Sequence, residues 1–210
     1  MQGQCTPRKA KIQSKICYVI AMDKKSIITL AGKPGSGKST TSKKLAERLG
    51  FERFSSGDLF RAIAKERAVD VLTINQTAET EKAIDLEVDE KLRQIGATKN
   101  NLVIDSRMAW HWMPYSFKVY LDLDILVAAR RITAGMDLER MEAEHIPSDP
   151  NQYAVQLQER LNSETRRYES LYQQNPYDTE NYDLIVDTSK HNPEEVVNII
   201  LEAYDLWIKR

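Results

Sequence analysis

One stretch decides the fold: Gly32-Lys33-Pro34-Gly35-Ser36-Gly37-Lys38-Ser39. It fits the phosphate-loop pattern Gly-x-x-x-x-Gly-Lys-Ser/Thr at every position, after a predicted strand at residues 26–31 and before a predicted helix at residues 40–49. The glycines let backbone N–H groups turn toward phosphate oxygens, and the helix adds its positive dipole end. In this motif the lysine, Lys38, contacts the β and γ phosphates, and the hydroxyl of Ser39 binds Mg²⁺. The stretch therefore predicts a nucleotide-binding site.

Short apolar runs outside the loop predict further strands. Residues 102–104, 119–121 and 184–186 are continuously apolar, as expected of strands buried on both faces of a parallel sheet, and residues 51–54 are a shorter candidate. Helical patterns alternate with these runs at residues 58–67, 75–95, 125–132, 152–173 and 193–209. We therefore predict an α/β, three-layer P-loop fold with a central parallel sheet of about five strands.

The composition indicates one globular domain. The chain has 210 residues, and 30 Lys plus Arg nearly cancel 31 Asp plus Glu, which excludes the global basic field that favours nonspecific nucleic-acid binding. Cys5 and Cys17 provide neither a disulfide framework nor a zinc spacing. No apolar run approaches the roughly 18 residues that cross a bilayer. We expect a cytoplasmic monomer with no membrane or nucleic-acid partner.

Residues 1–25 differ from the rest in charge. They hold six basic residues against one acid, Asp23, so we expect a flexible extension followed by a single domain at residues 26–210. A secretory signal is the competing interpretation. The apolar core at residues 16–20 is short for a signal, and no clean small-x-small cleavage site follows it.

Length and motifs narrow the class of P-loop protein. The sequence has no Asn-Lys-x-Asp for reading guanine, and it is short for a transporter or motor ATPase, which favours a small kinase. Phosphoryl transfer between two anions needs positive charge on the donor and acceptor sides. Arg61 and Arg107 follow the second and third strands, while Arg160, Glu164 and Arg167 share one helix face. From spacing alone, a solvated, ion-paired surface is the more common interpretation of that face.

Further motifs follow the phosphate loop in order: SSGDLFR at 55–61, DSR at 105–107, ARRI at 129–132, RLNSETRRY at 160–168 and YDLIVDTS at 182–189. Together they resemble the cytidylate kinases, especially their short archaeal-type branch, over residues 26–208. Adenylate kinases share the Ser/Thr-Gly-Asp-x-x-Arg element, but they typically carry Asp-Gly-Phe-Pro-Arg where this chain has Asp-Ser-Arg.

The resemblance implies an ATP:CMP phosphotransferase that also accepts dCMP, with a helical insert for the nucleoside monophosphate (NMP) at residues 57–100 and a lid at 133–160. It implies catalytic roles for Lys38, Asp105, Arg107, Arg160 and Arg167. It implies ATP binding by Gly32, Lys33, Pro34, Gly35, Ser36, Gly37, Lys38, Ser39, Thr40 and Arg131. The acceptor nucleotide would contact Ser56, Gly57, Asp58, Arg61, Arg107 and Glu164. Mg²⁺ would be held by Ser39 and, through water, by Asp105.

Several alternatives stay open. The acceptor could be UMP, AMP or a small metabolite, because the base-reading residues cannot be picked out. A nucleotide-binding regulatory P-loop protein, whose basic tail contacts RNA, is a second class. Asp105 could instead cap a loop, Arg130 could be a surface charge, and residues 110–113 could pack in the core rather than line a base pocket. Gly135 is a candidate hinge for the lid.

Overall fold

The structure is a computed structural model that describes residues 25–66, 78–136, 141 and 146–210. The basic extension therefore lies outside the described residues, apart from Lys25. Residues 137–140 and 142–145 of the predicted lid also lie outside them. Within the described residues, no helix is both long and apolar enough to cross a membrane.

A five-stranded parallel sheet forms the centre of the fold. Its strands are β1 (Ile27–Gly32), β2 (Glu52–Ser55), β3 (Leu102–Asp105), β4 (Phe117–Asp122) and β5 (Leu184–Asp187), in the order β2-β3-β1-β4-β5. Strand β1 lies in the middle and is buried at every position, which suits its uninterrupted apolar and small side chains. The predicted α/β fold with a parallel sheet is confirmed.

Helices cover both faces of the sheet. In the described part of the chain they are α1 (Lys38–Leu49), α2 (Ser56–Glu66), α3 (Ala78–Thr98), α4 (Ala109–Trp112), α5 (Ile125–Ala134), α6 (Pro150–Tyr172) and α7 (Pro193–Ile208). A 3₁₀ turn, Thr179–Asn181, precedes β5. Each predicted helix is present within a few residues of its expected ends, whereas the short α4 was not predicted.

Local signals explain where the later helices begin. The Asn192 side chain accepts hydrogen bonds from the backbone N–H groups of Glu194 and Glu195, and the Glu195 carboxylate accepts one from the backbone N–H of Asn192, which completes a capping box at the start of α7. Asp149 caps the start of α6: its side chain accepts a hydrogen bond from the backbone N–H of Asn151, and Pro150 begins the helix. These caps fix where α6 and α7 begin. Candidate site residues lie on α6 and just before α7.

Two apolar clusters hold the three layers together. On one face, Leu45 of α1 and Val197 and Ile200 of α7 pack against Leu30 and Val119 of the sheet, all fully buried. On the other face, the cluster joins α2 and α3 to β1 and β3; its buried members are Ile27, Ile63, Ile84, Val88, Leu92, Leu102, Ile104, Ala109 and Met113. The helices of the predicted insert are thus anchored to the sheet through their apolar sides.

Gly32 ends β1 in a conformation that requires glycine. Its φ is 147°, and a Cβ at this position would lie 2.3 Å from the carbonyl oxygen of Leu121 on β4. Because β4 is hydrogen-bonded to β1 at this point, neither backbone can withdraw without disturbing the sheet. Gly135, the candidate hinge, has an ordinary φ of -97°, so its backbone alone does not call for glycine and its hinge role stays a prediction.

We predict that Gly32→Ala destabilises the protein by about 3 kcal/mol, because the clash adds to the backbone strain. Gly50→Ala is the matched control: Gly50 has a φ of 66°, but a Cβ there meets nothing within 4 Å, so it should lose only ~1 kcal/mol. Urea unfolding without nucleotide measures both. Equal losses would show that the contact with Leu121 is unimportant.

Candidate active site

The predicted site residues gather at one edge of the sheet. The register pairs Leu30 with Asp105 and Gly32 with Leu121, so the ends of β1, β3 and β4 lie side by side. Ser55 of β2 pairs with Asp105, and Asp122 of β4 pairs with Asp187 of β5. In open parallel sheets ligands bind beyond the carboxyl ends of the strands, and this edge is where the phosphate loop stands.

The phosphate loop surrounds the Lys38 ammonium group. Lys38 Nζ donates to the carbonyl oxygens of Gly32, at 2.8 Å, and Lys33, at 3.0 Å. Burial, followed by the nearby charge of Arg107, lowers the pKa of Lys38 to about 8. The buried Ser36 hydroxyl has no hydrogen-bond partner within the described part of the chain. The loop thus presents the Lys38 ammonium group and the unpaired Ser36 hydroxyl, and a bound anion could contact both.

Ser39 and Asp105 form a pair of hard oxygen ligands. Ser39 Oγ donates to Asp105 Oδ2 at 3.1 Å, across the gap between the first turn of α1 and the end of β3. A hydroxyl and a carboxylate suit Mg²⁺, which is commonly held by one or two protein oxygens together with nucleotide phosphates and water. The described residues contain no cluster of three or more His, Cys, Asp or Glu that could bind a metal without a nucleotide. The pair therefore fits a nucleotide-bound Mg²⁺.

Glu164 is the meeting point of two arginines. Arg107 Nε and Nη2 donate to its two carboxylate oxygens at 2.7 and 3.0 Å, and Arg160 Nε donates at 3.1 Å. The Tyr177 hydroxyl donates to the same carboxylate. Glu164 is only 7% exposed, so the helix face that carries it is not the solvated surface that spacing alone favoured.

Charge compensation stabilises this cluster. Burial by itself would raise the pKa of Glu164, but Arg107 and Arg160 outweigh it and lower the value to about 2. For Arg107, burial opposes the charged form, yet Glu164 raises its pKa well above the usual range. Trp110 Nε1 donates to the carbonyl oxygen of Arg107 at 2.9 Å, which helps to hold this backbone in place. The Glu164 carboxylate and the Arg107 guanidinium group therefore stay ionised at neutral pH.

Arg167 is not part of that cluster. It lies further along α6 and faces the insert helix α3, with Nε 3.5 Å from Asp85 Oδ2. Sequence spacing put Arg160, Glu164 and Arg167 on one face, but the structure pairs Arg160 with Glu164 and Arg167 with Asp85 of α3. A role for Arg167 at the transferring phosphoryl group stays a prediction.

The residues predicted to bind the acceptor nucleotide lie around the start of α2. Ser56 and Gly57 open this helix, and Asp58 in its first turn is ion-paired with Arg61 and with Arg53, the latter at 3.0 Å. Burial opposes ionisation of Asp58, but Arg53 and Arg61 together lower its pKa. Sequence reasoning missed Arg53, although an arginine within a short strand just before the SSGDLFR motif was a visible signal.

A cavity lies on the opposite side of the phosphate loop. It has a volume of about 340 Å³ and is lined by the loop, Arg131, Thr188 and the residues that begin α7, including His191 and Asn192. Arg131 Nη2 donates to the carbonyl oxygen of Thr188 at 2.7 Å. The structure therefore places Arg131 beside the phosphate loop, as expected for a residue on the ATP side. His191 and Asn192 were not predicted, because a loop position far along the chain carries no motif.

The predicted loop residues at the edge of the cavity have defined partners. Lys33 Nζ lies 2.8 Å from Asp122 Oδ1 and donates to the carbonyl oxygen of Leu123 at 3.0 Å, which ties the loop to the end of β4.

Trp110 is 6% exposed and packs with Tyr120 and Tyr182, so core packing is the correct interpretation for this aromatic residue.

Comparison with known proteins identifies the family of this chain. The family model of the cytidylate kinase-like family matches residues 27–190. The chain belongs to this family. The match begins at β1, includes the phosphate loop, Asp105, Arg107 and Glu164, and ends just past β5, so the cytidylate kinase-like family accounts for the resemblance that the motifs carried.

Curated relatives support the family, and solved structures support the fold. The cytidylate kinase of Haloarcula marismortui is 37% identical over 184 residues, and that of Halobacterium salinarum is 35% identical over 184 residues; each match covers 86% of this chain and 90% of the relative. A shikimate kinase from Acinetobacter baumannii has a TM-score of 0.56 at 18% identity, with 88% of this chain and 95% of that one covered. An uncharacterized protein from Eubacterium ventriosum has a TM-score of 0.60 at 20% identity, covering 85% and 98%. The structures support the P-loop kinase fold alone.

We predict that ATP binding weakens above pH 8, because Lys38 then loses the proton that lets it bind phosphate. Calorimetric titration in EDTA between pH 7 and 9.5 should show an association constant that falls by up to about tenfold per pH unit at the alkaline end. Lys43→Met, on the exposed side of α1, is the matched control and should keep this profile, whereas Lys38→Met should bind weakly at every pH. A flat profile for the unchanged chain would contradict the assignment.

We predict that Glu164→Gln destabilises the protein at pH 7 by about 3 kcal/mol, because it leaves Arg107 without its carboxylate partner. The pKa of Glu164 is lower in the folded than in the unfolded state, so its stabilisation is complete above about pH 4.5 and declines as the pH falls toward 2. Urea unfolding at pH 7, 5, 4 and 3 measures the difference, with exposed Glu159→Gln on the same helix as control. A difference that does not change with pH would be inconsistent with the ion pairs.

Proposed function

We propose that this protein is a nucleoside monophosphate kinase that transfers the γ-phosphoryl group of ATP to CMP and to dCMP. The observation that carries the proposal is the convergence of Arg107 and Arg160 on Glu164, next to the Lys38 ammonium group of the phosphate loop. Three cations at one edge of the sheet can offset charge on the triphosphate of ATP and on the phosphate group of CMP. The curated relatives at 35 and 37% identity are cytidylate kinases, which supports CMP as the acceptor.

The residues have separate tasks in this reaction. The phosphate loop and Lys38 bind the β and γ phosphates of ATP, and the cavity beside Arg131 and Thr188 has room for the nucleoside of the donor. Arg61 and Arg107 bind the acceptor phosphate, and Arg160 stabilises charge on the group in transit. Mg²⁺, when bound with ATP near Ser39 and Asp105, neutralises phosphate charge and orients the phosphate chain.

The chemistry needs no side-chain nucleophile. An oxygen of the CMP phosphate attacks the γ phosphorus, the bond from that phosphorus to the bridging oxygen breaks, and the bridging oxygen stays with ADP. The products are therefore CDP and ADP. Because both reactants are anions, the protein contributes mainly by placing them in line and by supplying positive charge.

Glu164 keeps the arginines in place while no phosphate is present. Two guanidinium groups beside Lys38 would repel one another, and the buried carboxylate offsets this repulsion. The family resemblance implies that the Glu164 carboxylate also accepts hydrogen bonds from the ribose hydroxyls of the acceptor nucleotide. The cluster is therefore arranged before the substrates arrive, which lowers the cost of organising the site.

We predict that the protein releases ADP from MgATP with CMP and dCMP, and not with UMP, AMP or GMP. A coupled assay over this panel measures turnover, and chromatography identifies the diphosphate product. Lys38→Ala should lower turnover by at least about 100-fold, because it removes charge that stabilises the transition state. Lys43→Ala, a matched exposed lysine on the same helix, should stay within about twofold.

Other results of this assay have clear meanings. Lys38-dependent turnover with UMP or AMP instead of CMP would retain the phosphoryl transfer and overturn the acceptor. ATP binding with no acceptor-dependent turnover would reject the kinase and favour a nucleotide-binding regulatory protein.

A further inference from the structure

Arg53 of β2 occupies a position that the function described so far does not use. Its side chain is 19% exposed, and it extends from the strand toward the phosphate-loop helix. Nε donates to Ser42 Oγ on α1 at 2.7 Å, Nη1 donates to Asp58 Oδ2 on α2 at 3.0 Å, and Nη2 lies 3.7 Å from Asp105 Oδ2 on β3. One guanidinium group therefore bridges three elements.

These contacts connect the donor side of the site to the acceptor side. Asp105 also accepts a hydrogen bond from Ser39 of the phosphate loop, and Asp58 is also paired with Arg61, the residue assigned to the acceptor phosphate. A continuous series of one hydrogen bond and three ion pairs thus connects Ser39 to Arg61, through Asp105, Arg53 and Asp58. Arg53 is its central member.

The two halves of the Asp58 pairing differ in exposure. Asp58 and Arg61 are 53% and 62% exposed, so water screens their ion pair and breaking it costs little. The pair between Asp58 and Arg53 is held at its other end by a guanidinium group that is largely buried and fixed by the fully buried Ser42. Asp58 therefore has one persistent cation partner and one exchangeable cation partner.

We propose that Arg53 is a positioning residue that shares the Asp58 carboxylate and thereby leaves Arg61 free to exchange Asp58 for the acceptor phosphate. This inference rests on the proposed function. Without Arg53, the Asp58 carboxylate would interact more strongly with Arg61. The acceptor phosphate would then have to displace Asp58 from Arg61 at a greater cost.

Arginine is suited to this task because of its shape. Its planar guanidinium group presents donors in several directions at once, and here they reach a hydroxyl and two carboxylates. A lysine has a single ammonium centre on a flexible stem and would not span all three. Arg53→Lys should therefore restore the effect of arginine only in part.

A double-mutant cycle tests the proposal. The dissociation constant of CMP is measured by calorimetry, without ATP, for the unchanged chain, Arg53→Met, Asp58→Asn and the double variant. Arg53→Met should weaken CMP binding about tenfold in the unchanged chain and less than about twofold in the Asp58→Asn background, because the effect runs through Asp58. Arg48→Met, an exposed arginine of α1 whose partner is Asn198, is the matched control and should bind CMP normally.

A merely structural role for Arg53 gives a different pattern. The melting temperature and the binding of ATP in EDTA are therefore measured for each variant, and ATP binding should stay within about twofold when Arg53 is replaced. Equal losses of CMP binding in both backgrounds, or parallel losses of ATP and CMP binding, would overturn the proposal.

A second measurement does not depend on CMP affinity. In ¹⁵N NMR spectra of the nucleotide-free protein, exchange of the Arg61 Nη2–H protons with water should slow in Arg53→Met, because Asp58, which accepts from Nη2, then holds Arg61 more tightly. Unchanged or faster exchange would overturn the proposal even if Asp58→Asn by itself abolished CMP binding. Turnover of the unchanged chain with CMP separates the two hypotheses: its absence rejects the proposed function and this inference with it, whereas its presence with a failed cycle rejects the role of Arg53 alone.

Discussion

The parallel alignment of the five strands is the constraint on which the rest of the structure depends. Because every strand points the same way, the carboxyl ends of β1, β3 and β4 lie at one edge of the sheet. Gly32 makes the sharp exit of β1 possible at the centre of that edge, where a side chain would strike β4. The phosphate loop, Asp105 and Arg107 thus meet in space although they lie far apart in the chain.

Charge compensation shapes the site that forms there. A kinase of this type needs several cations close together, and such cations repel one another before phosphates arrive. Here the carboxylate of Glu164 holds Arg107 and Arg160, and loop carbonyls hold Lys38. The same principle operates on the acceptor side, where Asp58 and Asp105 flank Arg53. Carboxylates and carbonyl oxygens of the protein thus pair with these cations while no substrate phosphate is bound.

The local motifs allowed much of this to be predicted. The phosphate loop needs only a strand, a glycine-rich turn and a helix, which are adjacent in sequence, so Lys38 and Ser39 could be assigned from the chain alone. The alternation of apolar runs with helical patterns predicted the α/β fold, since buried parallel strands have no polar face. The capping residues Asp149 and Asn192 lie where the two later helices begin for equally local reasons. The short α4 escaped prediction because four residues carry no periodicity.

What the sequence by itself determined is therefore the set of local elements, the phosphate loop and the family. Only the tertiary structure decided which charged residues meet. The spacing of Arg160, Glu164 and Arg167 is compatible with one cluster, yet α6 turns Arg167 toward Asp85 of α3 and leaves Glu164 with Arg107. Arg53, Tyr177 and His191 acquire their places in the same way. Local hydrogen bonding and periodicity are encoded over a few residues, whereas an ion pair across elements depends on how whole helices pack against the sheet.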